Sequence, residues 1–109
     1  MALQKAFTTP TGLSGNYIRL TKIGWDRNVA ESYAEFGGFT SQAAADSGAQ
    51  PIWPVLAKLR LNGAKFASYV SNGKLAVPAD ILAAFYAAAK TENLICDLGP
   101  TWLADATNV

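Results

Sequence analysis

Apolar and polar residues alternate along NYIRLTKIGW, residues 16–25, and again along VAESYAEF, residues 29–36. Both runs are rich in β-branched and aromatic residues, and a period of two sends successive side chains to opposite faces of a strand. The first run puts Tyr17, Arg19, Thr21, Ile23 and Trp25 on one face and Ile18, Leu20 and Lys22 on the other. In the second, Val29, Glu31, Tyr33 and Glu35 alternate with a small face of Ala30, Ser32, Ala34 and Phe36, suited to close packing. Asp26, Arg27 and Asn28 lie between them and favour a turn, so the two runs predict a hairpin. Gly37 and Gly38 then end the second strand and free the chain to change direction.

The period changes at SQAAADSG, residues 41–48. Thr40 or Ser41 can cap a helix of about two turns through Gln42 and the alanines, with Gly48 at its left-handed close. Pro51 and Pro54 forbid helix and keep Ile52 and Trp53 extended and presented. Alternation resumes from Val55 to Leu61, and Asn62-Gly63 is the strongest hairpin signal, predicting a return strand over about Lys65 to Val70. Ser71, Asn72 and Gly73 make a further turn before the short segment KLAV, residues 74–77.

Ile81, Leu82, Phe85, Tyr86 and Ala89 form an apolar stripe at helical spacing. Pro78 suits a first helical position, Asp80 complements the positive end of the dipole and Lys90 the negative end, which predicts a helix over Ala79 to Lys90. A short strand at Leu94 to Leu98, a Gly99-Pro100 break and a Trp102-Leu103 pair follow. The pattern as a whole predicts a single α+β domain, residues 1–109, with an antiparallel sheet of four to five strands. One C-terminal helix packs on a face and one short helix lies at the edge. Thr8, Thr9, Pro10, Thr11 and Gly12 make residues 1–14 an extended N-terminal arm docked on a neighbour.

Composition narrows the function classes. Only 16% of residues are charged and half are apolar, against a usual charged share of about 25%, which favours buried contacts with other chains. A formal charge of +1 gives no field to steer nucleic acid or an anionic membrane, so neither is an expected partner. The start MALQKAFTTPTG lacks the charge-then-apolar order of a secretory leader, and no segment reaches the roughly 18 apolar residues of a membrane span. Synthesis in the cytoplasm of the producing cell is the expectation.

The chain has no histidine and one cysteine, Cys96, which excludes an internal disulfide and leaves acid–base catalysis and zinc binding without their usual groups. Glu31 and Glu35 read as a solvated strand face, and Cys96 between Ile95 and Asp97 reads as a small buried hydrophobe. No catalytic, metal or cofactor residues are assigned, no cofactor is expected, and the chain is read as a non-enzyme. The candidate site is an interface: Phe7 in the arm, Ile52 and Trp53 between the prolines, and Trp102 and Leu103 after the Gly-Pro break. Tryptophan at such breaks is either an interface hot spot or a cap on the sheet's own core, and Trp53→Ala separates the two by losing assembly or losing the fold.

Two longer stretches carry a resemblance. NYIRLTKIGWDRNVAESYAEFGGFTSQAAADSGAQPI and ILAAFYAAAKTENLICDLGPTWLADATNV together make up more than half of the chain. They resemble small structural proteins of tailed-bacteriophage virions. In those proteins a Tyr-x-Arg-Leu strand, an Asp/Asn turn, a second strand and a serine-capped alanine-rich helix lead to Gly-Ala-x-Pro, and the tail closes Ala-x-Asp-Ala. Residues 53–77 depart from that pattern. The resemblance implies a virion subunit of tail, baseplate or fibre-attachment type that assembles with other virion proteins or with itself. A capsid decoration protein is the alternative of the same class, and a small inhibitor of a host protein the alternative of another.

Overall fold

The computed structural model describes residues 2–26, 28–69 and 78–109. Arg27 of the predicted turn, the Ser71-Asn72-Gly73 turn and the segment at residues 74–77 lie outside the described residues. The chain folds as an α+β domain around one antiparallel sheet of five strands. In chain order these are β1 (Leu3–Thr8), β2 (Ser14–Asp26), β3 (Glu31–Phe39), β4 (Trp53–Asn62) and β5 (Thr107–Asn108). Helices α1 (Gln42–Asp46), α2 (Ala64–Tyr69) and α3 (Pro78–Thr91) complete it, and the sheet order is β4-β3-β2-β1-β5.

The predicted first hairpin is present. β2 and β3 pair from Tyr17↔Phe39 to Asp26↔Glu31. Ser32, Ala34 and Phe36 point into the core, so the small face packs closely as its composition requires. The expected facing of β2 holds only for its first half. A register shift between Leu20 and Lys22 puts Ile23 opposite the buried Ala34 and Lys22 opposite Glu35, which exchanges the two faces beyond the shift. Thr21 at the shift donates its hydroxyl to the Glu35 carbonyl at 3.1 Å.

α1 is capped as predicted: the Ser41 hydroxyl accepts the Ala44 N–H at 3.2 Å. It covers the outer face of the sheet at one end, where Ala45 joins Ala2, Tyr17 and Phe39 in a small second cluster. Arg19 ties β2 to this helix through Asp46 at 2.9 Å. The main core lies on the other face, where Phe85, Tyr86, Ala88 and Ala89 of α3 pack on the sheet, and Tyr86 meets Phe36 edge to face at 5.7 Å between centroids.

Five expectations are corrected. Residues 3–8 of the expected arm are β1, a strand of the chain's own sheet, because its registered pairing with β2 buries Leu3 and Phe7. β3 runs through Gly37 and Gly38 to Phe39, so these glycines sit inside the strand. Asn62-Gly63 makes no hairpin. Gly63 takes a positive φ of 56°, its N–H donates to the Ala30 carbonyl at 3.3 Å, and the chain turns into α2, whose Phe66 is buried in the core. The predicted fourth strand at residues 65–70 is therefore helix as far as Tyr69. The expected strand at Leu94 to Leu98 reduces to one antiparallel bridge, Lys58↔Ile95.

Candidate interaction surfaces

Phe7 explains Gly38 of β3, whereas Gly37 faces Thr21, Pro51 and Pro54. A Cβ on Gly38 would stand 2.5 Å from the Phe7 Cζ and 3.1 Å from a Leu56 methyl. A Cβ on Gly15, opposite Phe7 in β2, would stand 2.7 Å from the same Cζ and collide with the Phe39 carbonyl. The Phe7 ring therefore lies in a slot that only glycine leaves open. Trp53, registered opposite Gly38, closes the slot with its ring 6.3 Å from that of Phe7 at an angle of 60°.

Beside Phe7 a shallow groove of about 380 Å³ is lined by Ala6, Thr8, Ser14, Gly15, Leu98 and Trp102. Lys5 crosses its rim: the ammonium sits 4.6 Å over the Trp102 ring centroid, donates to the Trp102 carbonyl and pairs with the Asp105 carboxylate. The hydrogen bond from Lys5 holds the Asp105 carboxyl below the usual carboxylate range, helped by the attraction of its charge.

The structure thus brings Phe7, Trp53 and Trp102 to one end of the sheet. Phe7 and Leu103 are interior residues of this chain, at 5% and 0% exposure, so no partner reaches them in the folded molecule. Ile52, Trp53 and Trp102 are half-buried and pack against the same core, with partial faces left to solvent. The chain bends at Ile52 and is extended from Trp53, where β4 begins, and both side chains pack against the core. Cys96 is half-buried against that core and free.

A second surface lies where the sheet steps. β1 pairs with β2 only as far as the Leu3↔Ile18 register, while β2 continues to Asp26. Beyond the step the Tyr86 hydroxyl rises from α3 to accept the Leu20 N–H at 2.6 Å. Burial pushes the Tyr86 phenol above its usual value, against the opposing pull of the Leu20 N–H. Next to it, an open groove of about 700 Å³ is lined by Ala83, Tyr86, Ala87, Lys90 and Thr91 of α3 with Asn108 and Val109.

No family model, curated protein or solved structure matches the chain. Its surfaces are therefore read on their own chemistry. Among the described residues no three or more His, Cys, Asp and Glu side chains gather as a metal site, and no helix is long and apolar enough to cross a membrane. The ion pairs, Lys5 with Asp105, Arg19 with Asp46, Arg60 with Glu31 and Lys65 with Glu92, each tie separate elements together. Exposed hydrophobic side chains are spread around the molecule at Leu13, Val29, Tyr33, Val55, Ile95 and Leu98. The sequence reading missed the step in the sheet, because it depends on where a second strand stops.

Proposed function

We propose that the chain is a structural component of a tailed-phage virion, a tail, baseplate or fibre-attachment subunit that assembles through protein–protein interfaces. The role is mechanical: it takes no cofactor and carries out no catalysis. The observation that carries the reading is the sheet itself, whose longest strand has an edge unpaired among the described residues next to an open apolar groove, on a molecule with only 16% charged residues. Strand edges are templates for pairing with another chain, and a free monomer normally blunts or covers them. The likeness of residues 16–52 and 81–109 to virion proteins supplies the setting.

Mass spectrometry of purified particles from a phage that encodes the chain tests this directly. The reading expects the protein at a fixed stoichiometry to the major tail proteins. A fixed ratio to the major capsid protein instead transfers it to capsid decoration. Absence from particles, together with capture on a host protein during infection, gives the inhibitor reading in its place.

A further inference from the structure

We propose that the free edge of β2 from Lys22 to Asp26 binds the same edge of a second copy, antiparallel and about a two-fold axis at Gly24, so that two sheets become one. The inference rests on the assembly reading above and narrows it to one edge and one partner.

The edge is open. Among the described residues none pairs with β2 on this side beyond Leu20, whose N–H is already taken by Tyr86. Thr21, Lys22, Ile23 and Asp26 are exposed. An isologous pairing must be self-complementary, since every contact occurs twice. Centred on Gly24, the pairing places Lys22 opposite Asp26 of the second copy and Asp26 opposite its Lys22. Neither residue forms an ion pair among the described residues, although Glu35 lies across from Lys22 on the β3 side. A lysine on an edge normally repels another strand; here the partner strand brings an aspartate to the same position.

The groove lies next to this edge: Leu20 is where Tyr86 reaches the sheet, and Tyr86, Ala83, Ala87 and Val109 line it. One two-fold operation about Gly24 therefore matches every charge on the open edge.

Sedimentation equilibrium of the full chain, from about 1 μM to about 1 mM, is the test. The expected result is a reversible monomer–dimer equilibrium. Lys22→Asp and Asp26→Lys each weaken it on the order of tenfold or more, because each puts two like-charge pairs across the axis. An equimolar mixture of these two variants dimerises again, since every cross-axis pair is then of opposite sign. Thermal melts at low concentration confirm that each variant folds. A monomer throughout overturns the proposal, as does a dimer that both charge variants leave unchanged or that their mixture fails to restore. Either result leaves the virion reading to the particle analysis, which in turn leaves this dimer untouched if it fails.

Discussion

The two ends of the sheet solve the same problem differently. At the Phe7 end, β1 lies beside β2, glycines at 15 and 38 open a slot, and Trp53 and Trp102 close over it with Lys5 across the rim. At the Gly24 end, β2 runs on without β1; among the described residues the Tyr86 hydroxyl bonds its edge at Leu20, and the Tyr33 ring lies over Gly24. The first end is completed by the chain's own side chains and contributes stability. The second leaves backbone polar groups and apolar surface for another chain. Large aromatic residues therefore mark the interior here, and the surface for assembly is marked by a strand that outruns its neighbour.

Substitutions at the two ends should separate stability from association. Phe7→Ala empties the slot and should cost about 3–5 kcal/mol in denaturant unfolding. Trp53→Ala should cost less, about 2–3 kcal/mol, because the ring is only half-buried. Gly38→Ala should cost about 1–3 kcal/mol, since the added methyl meets Phe7 and Leu56 and the packed ring has nowhere to move. A neutral Gly38→Ala would mean that the slot is loose and that Gly38 serves another purpose.

Between the two ends, Tyr86→Phe removes the acceptor for the Leu20 N–H and should cost about 1–3 kcal/mol. Ser32→Ala has the opposite sign. The Ser32 hydroxyl is fully buried without a hydrogen-bond partner among the described residues, so its removal should gain up to about 1 kcal/mol, read as a higher Tm.

The α2–α3 junction adds a pH dependence. Hydrogen bonding from Lys65, with its charge and the Tyr69 hydroxyl in support, holds the Glu92 carboxyl below the usual range. A depressed folded-state pKa gives stability that is complete above the unfolded value, near 4.3, and is lost as pH falls through the folded value. Glu92→Gln should therefore flatten the acid limb of stability against pH below about 4.3 and leave its slope near neutrality unchanged. The smallest effect is expected at the open end: Lys22→Asp and Val29→Asp, measured where the chain is dilute, should shift unfolding by no more than about 0.5 kcal/mol.

Much of this organisation is legible in the residues. The alternation in β2, β3 and β4, the Ser41 cap and the apolar stripe of α3 each announce an element because the signal is local. What escapes reading depends on distant partners. Thr8 to Gly12 look like an arm, but Leu3 and Phe7 find β2 and make a strand. Asn62-Gly63 has the chemistry of a hairpin turn, yet the need to bury Phe66 against the core turns the chain into a helix. β5 is two residues long and has no period to detect. The glycines of β3 look like a stop until the Phe7 ring is placed over Gly38, and Thr21, Pro51 and Pro54 against Gly37. The candidate interface residues were legible as important but not as interior, because burial is decided by the fold around them. The Lys22–Asp26 edge gave no local signal at all.

Amide hydrogen exchange on the full chain, followed by fragment mass at low and high protein concentration, tests the contrast between the two ends most directly. The account predicts that amides of residues 22–26 become protected as concentration rises, while those of residues 3–8 and 53–57 exchange slowly at every concentration. Protection that is independent of concentration at residues 22–26, or that rises with concentration at the Phe7 and Trp53 end instead, would contradict it.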